Sequence, residues 1–209
     1  MIDFSKESVF IKVNAKEDTA AARQYGIAGF PTVVLLNSQG EEIDRIFGYL
    51  GPDQFLQQID DYMAGTGTFA AVLAQLEQDP KNIDLLSDAA ERYVARARYT
   101  EAVATYEKIV WYDQWNEKGK SDKAILSIGD ALLRAKQYET ATDQFQRLMD
   151  VYPDSPLVPE AFSYKGYAYQ RWGKNDEAIA IYEDFIKAYP NHEEAEWAQK
   201  QIDTLKGTQ

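Results

Sequence analysis

The sequence predicts a small α/β segment followed by an all-α stack of helical hairpins, and three observations carry that reading. Over residues 1–64, β-branched runs alternate with turn signals. From about Thr68 onward the apolar residues recur at helical spacing, broken by Gly, Pro and Asp-rich stretches. Within that helical stretch one pattern of small, aromatic and alanine residues returns three times.

The first segment opens on Val9-Phe10-Ile11-Lys12-Val13-Asn14, which reads as a strand. Thr19 to Tyr25 reads as a short helix, and Thr32-Val33-Val34-Leu35-Leu36 as an apolar strand buried on both faces. Asn37-Ser38-Gln39-Gly40 is a hairpin turn, after which Glu42 to Phe47 alternates as the returning strand. Pro52, suited to a first helical turn, opens a helix that runs through Ala64. A linking stretch, 65–82, holds the helix Phe69 to Leu76, ended by Asp79-Pro80; it reads as a cover on the first hairpin.

The hairpins follow over 83–209. Ala102, Ala141 and Ala178 each stand four residues before an aromatic, Tyr106, Phe145 and Tyr182. Twelve residues upstream of each alanine is a small residue, Ala90, Gly129 or Gly166, where two helices of a hairpin must approach closely. Tyr152-Pro153 and Tyr189-Pro190 end two of the three units, because proline cannot continue a helical ladder; the first has Gln114 instead. These residues, with Tyr93, Leu132 and Tyr169, resemble the tetratricopeptide repeat. The alanine spacings are 39 and 37 residues, longer than the roughly 34 of the ideal repeat. The surplus falls in Tyr112 to Ser121 and in Pro153 to Pro159. The expected hairpins are 83–121, 122–158 and 159–192, closed by a solvating helix over 193–206 with Trp197 and Ile202 on one face.

The resemblance implies a groove lined by the first helix of each pair. Its positions would be Asp84, Ser87, Asp88 and Glu91; Lys123, Leu126, Ser127 and Asp130; Glu160, Ser163, Tyr164 and Tyr167. That lining is acidic and aromatic. It suits a protein or peptide segment bearing Lys or Arg, whereas the Lys and Asn set with which family members clamp a terminal carboxylate is reduced to Lys123.

In the first segment, Tyr25-Gly26-Ile27-Ala28-Gly29-Phe30-Pro31-Thr32 with Gly40 and Gly48 resembles the second half of a thioredoxin-like domain. The resemblance implies that Pro31 is a cis-proline and that Phe30 offers backbone hydrogen bonds to an extended substrate, with Thr32 completing the loop. The family's first half, with its central strand and Cys-x-x-Cys helix, is not in this chain, and Ile2-Asp3-Phe4 would be the tail of the active-site helix. The expectation is a segment of a longer protein. The incomplete sheet would otherwise be closed by self-association or by direct pairing of its neighbours.

Composition narrows the function. With 22 Lys+Arg against 34 Asp+Glu, the net charge of -12 disfavours nucleic acid and anionic lipid. There is no cysteine, so this chain has no thiol chemistry, thiolate metal site or disulfide. The single His192 sits in a polar turn and reads as solvated surface. The Asp and Glu residues read as helix caps and solvated faces, and there is no Gly-rich phosphate loop. No catalytic residue, metal site or cofactor is expected, and no stretch is apolar enough to span a membrane or serve as a signal peptide. The expected function is a soluble protein-binding scaffold attached to a redox-inactive thioredoxin-like remnant. The alternative is a fragment of a thiol-disulfide oxidoreductase whose Cys-x-x-Cys half lies upstream.

Overall fold

The computed structural model describes residues 9–14 and 17–207. Expectations for Ile2-Asp3-Phe4 lie outside the described residues. The elements group into two compact units, one ending at Arg98 and one beginning at Tyr99. The expected hairpin 83–121 has its two helices in different units.

In the first unit, helix α1 (Thr19–Gln24) is capped by Asp18, whose carboxylate accepts from Ala21 N at 3.1 Å. Strands β1 (Thr32–Leu36) and β2 (Glu42–Phe47) pair antiparallel, with Val33 opposite Ile46 and an irregularity between Leu35 and Leu36. The turn between them closes as expected: Asn37 Oδ1 accepts from Gln39 N and Glu41 N, both at 2.9 Å. Helix α2 (Pro52–Met63) lays Ile59 and Tyr62 against Ile46, Leu35, Leu50 and Phe55. Helix α3 (Phe69–Gln78), capped by Thr68, packs on α4 (Ile83–Ala95), capped by Asn82, burying Phe69, Val72 and Ala89.

Two strand expectations need correction. Residues 9–14 form no strand, and Val9 and Ile11 are 90% and 81% exposed. Propensity gives a segment the shape of a strand, but a strand persists only where a neighbour accepts its ladder of hydrogen bonds, and β1 and β2 make the one sheet among the described residues. For the same reason β1 is not buried on both faces: Val33 and Leu36 remain exposed on a two-stranded sheet with helix cover on one side.

Strand β2 departs from simple alternation, burying Asp44, Arg45 and Ile46 in succession. Asp44, fully buried, accepts from Phe69 N at 2.6 Å, from its neighbour Arg45 N, and from the guanidinium groups of Arg92 and Arg96. Arg45 donates to the carbonyls of Tyr25, Gly26 and Ala95 at 2.7–3.1 Å and to the Glu42 carboxylate. The Ala95 carbonyl belongs to the last turn of α4, where helix geometry leaves acceptors unmatched. Gly26 sits at φ +55 so close to α4 that a Cβ would lie 2.6 Å from the Arg96 carbonyl oxygen. A buried carboxylate survives only when paired and hydrogen-bonded on most of its lone pairs, and Asp44 has that full set. The sequence reading of the acids as caps and solvated faces therefore fails at Asp44.

The second unit is a stack of six helices, each packed on the next: α5 (Tyr99–Tyr112), α6 (Ser121–Arg134), α7 (Tyr138–Val151), α8 (Val158–Trp172), α9 (Asn175–Ala188) and α10 (Ala195–Gly207). Helices α6 and α8 also touch, as first helices of successive hairpins do. The crossings follow the small-residue logic. A Cβ on Gly129 would stand 2.7 Å from Phe145 Cζ, and one on Gly166 would stand 2.8 Å from Tyr182 Cδ1 and Cζ, far inside an ordinary carbon contact. Phe145 and Tyr182 are fully buried, as are Ala141 and Ala178.

The backbone repeats with the sequence. Ala97, Lys136 and Gly173 all have positive φ, at 54, 61 and 82°, just past the ends of α4, α6 and α8. The next amide returns in each case to the carbonyl of Tyr93, Leu132 or Tyr169, the large residues of the repeat pattern. The surplus residues after α5 form an organised loop in which buried Asp113 accepts from Lys118 N and Lys120 N, each at 3.0 Å.

Candidate peptide-binding groove

Two open clefts of the second unit adjoin at Tyr164 and Tyr167, which line both, and together they are the candidate groove. Their floor is built from the repeat crossings. Phe145, held under Gly129, stacks on Tyr164 with ring centres 5.6 Å apart and planes 12° apart. Tyr182, held under Gly166, meets Trp197 edge-on at 5.5 Å. Tyr164 and Trp197 are thus each braced by a fully buried ring, and such contacts fix ring orientation as well as adding area.

One cleft, about 590 Å³, is lined by Glu160, Ser163, Tyr164, Tyr167, Glu193, Glu194 and Trp197. Ser163 Oγ donates to Glu194, tying α8 to the turn before α10. Burial, then the charges of Glu194 and Asp130, hold the Glu160 carboxyl above the usual carboxylate range. Burial followed by Asp130 and Glu160 likewise raises the Tyr164 hydroxyl. The second cleft, about 370 Å³, is lined by Asp130, Leu133, Arg134, Lys136, Tyr138, Tyr164, Tyr167 and Arg171. Arg134 pairs with Asp130 at 2.7 Å, one helical turn away, and the Arg171 guanidinium lies over the Tyr167 ring at 5.9 Å.

Of the residues expected in the groove, Asp130, Tyr164 and Tyr167 line these clefts, with Glu160 and Ser163 beside them. Asp84, Ser87 and Glu91 lie on α4 in the first unit, where Ser87 Oγ donates to Ile83 O at 2.9 Å. Lys123 is exposed near the start of α6, outside both clefts. Sequence reasoning missed the basic end. Arg134 was legible as the i+4 partner of Asp130, but Lys136 and Arg171 stand at helix ends that the repeat pattern does not assign to the groove. It also gave Trp197 only a capping role. His192 is corrected too: it is half-buried, with its ring 5.5 Å from that of Phe185 and its Nδ1 accepting from Glu194 N at 3.2 Å. The turn folds its ring onto α9 and away from solvent. Among the described residues no group of three or more His, Asp or Glu side chains is placed to hold a metal ion.

In the first unit the Phe30–Pro31 bond is cis, as the thioredoxin-like motif implies. Phe30 is 67% exposed, Pro31 O accepts from Gly48 N at 2.9 Å, and Thr32 Oγ1 donates to Gly29 O at 2.7 Å. Among the described residues no helix is long and apolar enough to cross a membrane.

Comparison with known proteins divides along the same lines. Residues 2–63 match the thioredoxin-like domain family, and residues 118–199 match YfiO, the outer membrane lipoprotein family. Over 141 residues the chain is 26% identical to the outer membrane protein assembly factor BamD of Caulobacter vibrioides, covering 62% of this chain and 45% of the relative. A stretch of 51 residues, 24% of the chain, is 35% identical to thioredoxin of Chlamydia caviae and covers 49% of it. The chain spans less than half the length of both relatives. The crystal structure of the MamA protein shares the helical fold, with a TM-score of 0.51 and 22% identity over 74% of this chain and 82% of that one. The chain thus joins a thioredoxin-like segment to tetratricopeptide-like helical repeats.

Proposed function

We propose that this chain is a non-catalytic scaffold that holds a Lys- or Arg-bearing segment of a partner protein in the groove of α6, α8 and α10. The observation that carries the reading is the Glu160 cleft. Three carboxylates, Glu160, Glu193 and Glu194, share it with the faces of Tyr164, Tyr167 and Trp197. Burial, and after it the charges of Glu194 and Asp130, already disfavour the ionised form of Glu160, so a cation entering the cleft offsets that cost as well as forming new pairs. Aromatic faces beside the acids add cation–π attraction for Lys and Arg.

Fluorescence anisotropy with an arrayed library of labelled peptides tests the reading. Basic peptides should bind best and lose affinity with added salt; a preference for acidic peptides would overturn it. The likeness to outer membrane protein assembly factors makes envelope proteins the first partners to try, and the cis-Pro loop of Phe30, Pro31 and Thr32 is the second surface to probe for an extended chain.

The match of residues 2–63 to thioredoxin-like domains favours a second reading, in which the chain is the client-holding part of a thiol-disulfide oxidoreductase whose Cys-x-x-Cys is encoded upstream. Mass spectrometry of the native protein decides it: a mature product beginning at Met1 sinks this reading.

A further inference from the structure

The groove is bipolar, and its polarity runs along a single helix. Glu160, Tyr164, Tyr167 and Arg171 fall at positions i, i+4, i+7 and i+11 of α8, one face of a 3.6-residue helix. The cleft at the Glu160 end is lined by three carboxylates and no Lys or Arg; the cleft at the Arg171 end has three cations, Arg134, Lys136 and Arg171, against the one carboxylate of Asp130. In a chain of net charge -12, this end of the groove is locally cationic. Asp130 is engaged by Arg134, while Arg171 rests on a neutral tyrosine, so the local excess charge there is positive.

We infer that the occupant is an extended segment carrying charges of both signs: a Lys or Arg at the Glu160 end, an Asp, Glu or terminal carboxylate at the Arg171 end, and apolar atoms across Tyr164 and Tyr167. This rests on the reading of the groove as a peptide site and adds the acidic half of the ligand. The spacing follows from geometry. Eleven residues of helix rise about 16 Å, which an extended peptide covers in about five residues. A groove that complements both charges also fixes the direction in which the peptide lies, since the reversed peptide sets like charges together.

The experiment uses the full chain and a peptide set with one Lys and one Glu separated by two to eight residues, in both orders, with Lys-only and Glu-only controls. Binding is read by anisotropy at low and physiological salt. Affinity should peak near a separation of five, in one order only, about fivefold above the Lys-only peptide, the size of one partly exposed ion pair. R171E should abolish that advantage, so that on this variant the Lys/Glu peptides bind no better than the Lys-only peptide. Arg171 is exposed on α8, so folding is not at stake, and circular dichroism verifies it. Lys-only and Lys/Glu peptides binding alike, with no response to R171E, overturn the bipolar ligand while the basic-segment reading stands. Failure of every Lys-bearing peptide to bind overturns both.

Discussion

Replacing Gly166 by Ala sets two effects against each other, and the structure decides the winner. On an open helix surface the change would stabilise by about 1 kcal/mol, because glycine is a poor helix former. Here the new Cβ would stand 2.8 Å from two ring atoms of Tyr182 and closer still to a third. The ring cannot retreat, being fully buried and packed edge-on against Trp197. Reaching an ordinary carbon contact of about 3.5 Å requires the helices to part or the ring to leave its rotamer, the kind of overpacking that costs about 1–3 kcal/mol. The expected net effect is a loss of up to roughly 2 kcal/mol in urea unfolding, with a shift in Trp197 fluorescence as its supporting ring moves. The decisive measurement is the cycle with Y182L. With the ring gone, G166A should become neutral or stabilising, giving a coupling of about 2 kcal/mol. If G166A stabilises the wild-type chain as a surface substitution would, the close crossing of α8 and α9 is wrong.

Three further outcomes are expected. D44N leaves Arg92 and Arg96 facing a neutral, partly unmatched amide, and should cost about 3–5 kcal/mol in the first unit by hydrogen exchange; a cost under about 1 kcal/mol would mean the ion network is ornamental. A97G should stabilise by about 0.5–1 kcal/mol, since Ala97 holds φ 54 where glycine sits without strain, and thermal unfolding reads it. For Glu160, the folded pKa lies above the unfolded one, so its contribution to stability is fully present below the unfolded pKa and is lost as pH rises through the folded pKa. Its ionised form is what a cationic peptide needs. Affinity should therefore fall with decreasing pH from a higher starting point than an ordinary Glu gives, and E160Q should flatten that profile.

The hairpins were legible because their signals are local. A small residue, an aromatic sixteen positions on and a large residue whose carbonyl closes the turn all sit inside one repeat, so Gly129 with Phe145 and Gly166 with Tyr182 could be paired from spacing alone. The β1–β2 hairpin was legible for the same reason. What escaped depends on partners far along the chain. Nothing in the alternation of β2 announces that Asp44 meets Arg92 and Arg96, 48 and 52 residues away. Val9 to Asn14 has the composition of a strand, but composition cannot report whether a neighbouring strand is there to pair with it. Half of the groove was readable from the repeat pattern. The other half was not, because Lys136 and Arg171 reach it from helix ends and Trp197 from a helix outside the third repeat.

The buried Asp44 also bears on how this protein can be taken apart. Its oxygens are engaged by groups from β2, the first turn of α3 and the last turns of α4, three segments that a domain map drawn from sequence assigns to three different modules. Any expression boundary placed between α2 and α3 would part Asp44 from Phe69 N, Arg92 and Arg96, and would take from Arg96 both of its carboxylate partners, Glu42 and Asp44, while Arg92 would keep only Asp88. The thioredoxin-like segment is therefore no detachable tag. Chimeras that move the repeats to a new host should carry everything up to Arg98 as one piece, or replace Asp44, Arg92 and Arg96 together by apolar residues of matching volume.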